Sequence, residues 1–178
     1  MKQQIRKGLF ETNSSSIHSL VIGNNGEDIY ANLPTEIYFG AGEFGWENEV
    51  YTDTETKASY LYTAIVLNSL VDELVPKIKD ILDKWNIKYI FKETIKEEYY
   101  DGELLDTFKD TNRYDYYIDH VYDAKDFCIK VCNDEILLMN FLFSNESFVE
   151  TGNDNQDDED FIHHEYPTNV MLDYEKGN

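Results

Sequence analysis

Apolar positions follow two different rhythms along the chain. In the first third they gather in short β-rich runs: residues 17–22 end at the turn cluster Gly23-Asn24-Asn25-Gly26, and residues 36–39 end at Gly40-Ala41-Gly42. These runs predict strands of an antiparallel sheet. From Thr56 the period lengthens. Leu61, Ala64, Ile65 and Val71 recur at helical spacing, and Leu74, Ile78, Ile81, Leu82 and Trp85 continue the stripe past Pro76. Two helices, or one kinked at Pro76, are expected over residues 57–72 and 74–85. Residues 87–92 are rich in β-formers and return a strand to the sheet.

Residues 97–123 are crowded with tyrosines and acids, and are read as a short helical piece at 104–108 and a strand at 116–121. Cys128, Val131, Cys132, Leu138, Met139 and Leu142 then mark a third amphipathic helix over 125–143, stopped near Ser144-Asn145, with a last strand at 147–150. The simplest assembly is an α+β fold, an antiparallel or mixed sheet with about three amphipathic helices packed on one face. An all-helical bundle is the weaker alternative.

The chain has 178 residues, of which 42% are hydrophobic and 15% aromatic, enough to close one core and to exclude wholesale disorder. A single domain over 1–178 is expected, with an acidic loop around 153–160 and a loose tail over 166–178. Against 15 Lys and Arg stand 36 Asp and Glu, a formal charge of −21. Sequence-independent binding of a phosphate backbone needs a basic patch, and this chain has few cations to build one. No membrane-spanning or signal-like apolar run occurs, so a cytoplasmic protein is expected. The charge is uneven: residues 57–96 hold seven lysines against five acids, whereas residues 131–178 hold twelve acids against one lysine. Cys128 and Cys132, four residues apart among apolar neighbours, read as buried free thiols.

The densest local chemistry lies in residues 10–19, where five hydroxyls, Asn13 and His18 fall within ten positions. Hydroxyls donate to oxyanions, and an imidazole acts as base toward a serine. Ser16 and His18, two apart on a strand, share one face. The bland reading is that Ser14 and Ser15 only bond backbone groups in a turn.

The string Arg6-Lys7-Gly8-Leu9-Phe10-Glu11-Thr12-Asn13-Ser14-Ser15-Ser16-Ile17-His18-Ser19-Leu20 resembles the opening of a family of uncharacterised proteins encoded by phages and prophages of low-GC Gram-positive bacteria. Similar pieces are Tyr117-Ile118-Asp119-His120, Phe141-Leu142-Phe143 and Thr151-Gly152-Asn153-Asp154-Asn155. The resemblance implies a phage setting and an accessory or counter-defence role. It supplies no fold, activity or catalytic residue.

His18, Asp119, His120 and Asp154 together are the residue types that trade protons or hold a divalent ion, although no pair has a recognised metal spacing. Adjacent Asp119 and His120 on a strand point to opposite faces. Residues 154–165 resemble a calcium loop, with Asp154, Gln156, Asp158 and Asp160 at alternate positions, but Glu159 stands where the sharp turn needs glycine. His163 and His164 read as surface residues.

Two function classes follow. The first is an acidic inhibitor, of DNA-mimic or anti-CRISPR-like type, that binds the basic surface of a host nucleic-acid-processing enzyme such as a defence nuclease. It contacts neither nucleic acid nor membrane directly and needs no cofactor. Its expected contacts are Asp154, Asp157, Asp158, Glu159 and Asp160, with Glu97, Glu98, Tyr99, Tyr100, Asp101 and Glu103 as a second patch. The alternative is a small Ser/His- or metal-dependent hydrolase or nucleotide-binding enzyme using His18, Ser16, Asp119 and His120, with a divalent metal only in that case.

Overall fold

The computed structural model describes residues 16–24, 28–45, 48–92, 96–100, 103–108, 116–118, 124–153, 167 and 169–176. In chain order the elements are β1 (Ser16–Gly23), a 3-10 helix (Ile29–Asn32), β2 (Glu36–Phe39), β3 (Glu43–Phe44), β4 (Glu49–Tyr51), α1 (Thr54–Leu67) and α2 (Val71–Lys84). They continue with β5 (Lys88–Phe91), β6 (Lys96–Tyr100), β7 (Glu103–Phe108), β8 (Tyr117–Ile118), α3 (Ala124–Cys132), α4 (Glu135–Phe143), β9 (Phe148–Asn153) and β10 (Val170–Lys176). The fold is α+β.

The largest sheet runs β10-β1-β9-β4, antiparallel throughout. Its register places His18, Leu20 and Ile22 on the face that also carries Thr151, Val149, Leu172 and Tyr174. Leu20, Ile22 and Val149 join the main core there, against α1 and α4. Val21 and Phe148, on the opposite face, are also fully buried, so the centre of the sheet is closed on both sides. β10 lies within the segment read as a loose tail. Its alternating Leu172 and Tyr174 pack on the core, and its backbone completes one side of β1.

β1 and β2 do not share a sheet, contrary to the expectation from sequence. β2 pairs in parallel with β5, and Phe39 stacks on Phe91 at 4.4 Å between ring centroids. The Tyr62 hydroxyl on α1 donates to the Lys92 carbonyl at 2.8 Å, tying this small sheet to the central helix. Residues 104–108, read as helical, belong instead to β7, which pairs antiparallel with β6. The two residues between these strands in sequence are Asp101-Gly102, a pair favoured in two-residue hairpin loops.

The helices divide where local chemistry stops them. α1 ends in a Schellman arrangement: Leu70 N–H bonds Ile65 O at 2.9 Å, Ser69 N–H bonds Val66 O at 3.0 Å, and Ser69 sits at φ 56°. α2 ends the same way with Asn86 at φ 54°. Pro76 lies inside α2 and does not divide it. The expected helix over 125–143 is two helices, because the Asp134 carboxylate accepts from the Ile136 and Leu137 amides and starts α4 afresh. Of the four helices among the described residues, α2 shows the narrow stripe of a surface helix, burying Leu74, Val75, Ile78, Ile81 and Leu82. α1 and α4 are apolar nearly all round and run through the core. No helix among the described residues is long and apolar enough to cross a membrane.

Candidate functional site

His18 lies on the core face of β1, only 1% exposed, with Nδ1 3.0 Å from the hydroxyl of Tyr60 on α1. Tyr60 is itself fully buried, and burial raises its phenol well above the ordinary value, with Cys128 and Tyr174 adding to the effect. The phenol therefore stays neutral, and its oxygen and the imidazole Nδ1 share one buried hydrogen bond. The pair works as a polar clasp between sheet and helix. An imidazole so enclosed meets a substrate only if the core opens.

Of the other residues expected at a catalytic site, Ser16 occupies the same strand two positions before His18, opposite Asn153 in the register. Asp119, His120 and Asp154 lie outside the described residues. β8 pairs with β3, placing Ile118 beside Phe44, and Phe44 packs edge-on against Tyr60 at 4.9 Å. No three histidine, cysteine or acidic side chains among the described residues come close enough together to hold a metal ion. Cys128 and Cys132 are free and buried, and burial pushes the Cys128 thiol up to about 12, which keeps it unreactive.

A second buried polar group was invisible in the sequence. Lys57, at the start of α1, is 1% exposed, and its Nζ donates to Ser144 O at 2.7 Å and Ser147 O at 3.1 Å. No carboxylate among the described residues lies within ion-pair distance of it. Burial pushes its pKa down to about 7, with Asp53 opposing from a distance. Two of the N–H groups on Nζ meet the two carbonyls. Ser147 extends the junction: its Oγ accepts from Gly23 N–H at 3.1 Å and donates to Asn140 O at 2.8 Å. α1, α4, β1 and β9 thus meet at one turn. Gly23 is required there, since a Cβ would stand 2.5 Å from the Pro167 ring and 2.8 Å from Glu146 O.

One concave feature of the surface is a cleft of about 450 Å³ between the 3-10 helix, β2, the start of α1 and the end of α4. Ile29, Pro34, Ile37 and Phe143 give it apolar walls, and Asp28, Glu36 and Glu55 supply three carboxylates. Among the described residues no lysine or arginine lines it. The α1 N-terminus at its edge is already capped by Asp53, whose carboxylate accepts from Thr56 N–H at 2.8 Å. Burial works to raise the Asp53 carboxyl, but the Thr56 hydrogen bonds and the Lys57 charge outweigh it and hold it below its ordinary value.

No family model, curated protein or solved structure matches this chain. Of the acidic contacts expected from sequence, Glu97, Glu98, Tyr99, Tyr100 and Glu103 lie on the β6–β7 hairpin. Asp101, Asp157, Asp158, Glu159 and Asp160 lie outside the described residues. The cleft escaped sequence reading because its carboxylates come from three separate elements at no characteristic spacing. Lys57 escaped because a lysine in the first turn of a helix ordinarily faces water.

Proposed function

We propose that this protein is an acidic protein-binding inhibitor of phage type, acting in the cytoplasm of a bacterial host on a nucleic-acid-processing or defence enzyme. The observation that carries this reading is a cleft bearing three carboxylates and, among the described residues, no cation, on a chain of charge −21. Such a field repels nucleic acid and accelerates encounter with a basic surface, the surface by which a nuclease holds its substrate. The N-terminal resemblance to phage proteins supports the setting. Against the hydrolase alternative stands the burial of His18, whose imidazole is turned to Tyr60 and away from solvent.

Competition tests it. Host nucleases of CRISPR and restriction type are held on labelled duplex DNA and titrated with the protein at several salt concentrations. Release of the duplex, weakening as salt rises and without binding of DNA by the protein itself, is the expected result. Direct DNA binding, or no displacement from any of the nucleases, overturns the proposal.

A further inference from the structure

We propose that the cleft between the 3-10 helix and α1 seats an arginine or lysine side chain from a basic segment of the partner, with Trp85, stacked on the outward-turned Tyr30 of the same 3-10 helix, as an apolar anchor outside the cleft. This rests on the inhibitor reading above and names the surface that performs it. A long cationic side chain has an apolar stem and a charged head. The cleft offers the complement: Ile29, Ile37 and Phe143 for the stem, Asp28, Glu36 and Glu55 for the head. Glu36 and Glu55 have no hydrogen-bond or ion-pair partner among the described residues. An anion is repelled even at the α1 N-terminus, where Asp53 and Glu55 already answer the helix dipole. A bare metal ion is also poorly served, since the three carboxylates do not make up a group that could hold one.

The second half of the surface is independent of charge. In the 3-10 helix, residues three apart eclipse one another, and Ile29 and Asn32 accordingly both line the cleft. Tyr30 turns away and stacks on Trp85, with ring centroids 4.2 Å apart. Trp85 donates its indole N–H to Glu135 at 3.0 Å yet remains 37% exposed. An exposed tryptophan pinned by a stack and a hydrogen bond has lost little-used freedom in advance of binding, the property of an interface hot spot. Burial, with the carboxylates of Glu135 and Asp28 adding to it, raises the Tyr30 phenol, and Glu135 is paired on its other oxygen with Lys84 at 2.8 Å.

The test uses the full chain and a short fluorescent arginine-rich peptide, read by anisotropy, with urea midpoints to verify folding. Glu36→Gln with Glu55→Gln is compared with Asp80→Asn with Asp126→Asn, which removes the same charge from α2 and α3 away from the cleft. The cleft pair should weaken binding about tenfold or more, and the distant pair less than about twofold. Trp85→Ala should weaken it about tenfold and abolish the change in indole emission on binding. Equal losses in the two charge pairs overturn the cleft assignment while leaving the inhibitor reading standing. Binding by the wild type that shows no salt dependence overturns both.

Discussion

At the scale of single residues, the energetics centre on a lysine and a serine that hold four elements together. Lys57 has a folded-state pKa of about 7 against an ordinary 10.5. Between those values the unfolded chain binds the proton and the folded chain does not, so this group makes stability rise with pH across that window. Below about 7 both states are protonated and its contribution is constant. The stability of the wild type relative to Lys57→Met should therefore climb from pH 7 to pH 10, by up to about 1 kcal/mol per unit. Urea unfolding of both proteins across that range measures it, and a constant difference would show that the amine stays charged in the fold. Ser147→Ala removes the acceptor for the Gly23 amide and a donor to Asn140 O, both buried. It should cost about 1–3 kcal/mol. A loss under about 0.5 kcal/mol in urea unfolding would mean that the turn re-satisfies those groups without the side chain.

At the scale of elements, the helix ends make the clearest prediction. Ser69 occupies a left-handed conformation at the end of α1, where glycine carries no Cβ penalty. Ser69→Gly should stabilise the protein by about 0.5–1 kcal/mol in thermal unfolding, because the relief of strain exceeds the added freedom of the unfolded chain. Asp134→Ala removes the side-chain cap of α4 and should cost about 1 kcal/mol in the same measurement. These ends also show what the sequence made legible. The stripe Leu74, Ile78, Ile81 and Leu82 disclosed α2, and the β-rich run at 36–39 gave β2 at its observed bounds. Asp134 and the pair Asp101-Gly102 carried usable cap and hairpin signals that the apolar periodicity overrode. β10 alternated correctly at Leu172 and Tyr174, but its acidic neighbours masked it. The parallel pairing of β2 with β5 had no local signature, since register across some fifty residues is decided by packing on α1. The partner of His18, 42 residues away on α1, was hidden for the same reason.

At the scale of the whole molecule, charge works against the fold and for the proposed partner, and salt separates the two effects. With 36 acids against 15 cations, most long-range pairs in the folded chain are repulsive. The two side-chain ion pairs given by the described residues, Lys77 with Glu73 and Lys84 with Glu135, are on the surface, where attraction contributes little. Screening over a Debye length of about 8 Å at physiological ionic strength should therefore remove more repulsion than attraction. Sodium chloride should raise the thermal midpoint of the free protein by several degrees, most steeply at low concentration. A midpoint that falls with salt would mean that the acids are locally paired and that the net charge misrepresents the surface. The same screening should slow association with a basic partner, because steering depends on the unscreened field. Substituting Asn and Gln at Asp154, Asp157, Asp158, Glu159 and Asp160 should then lower the on-rate and flatten its salt dependence, while raising the low-salt midpoint. Stopped-flow association and thermal unfolding of that one variant read the two signs separately. On-rates that match the wild type across the salt series would remove the acidic run from the interface and leave the cleft beside the 3-10 helix as the contact to test.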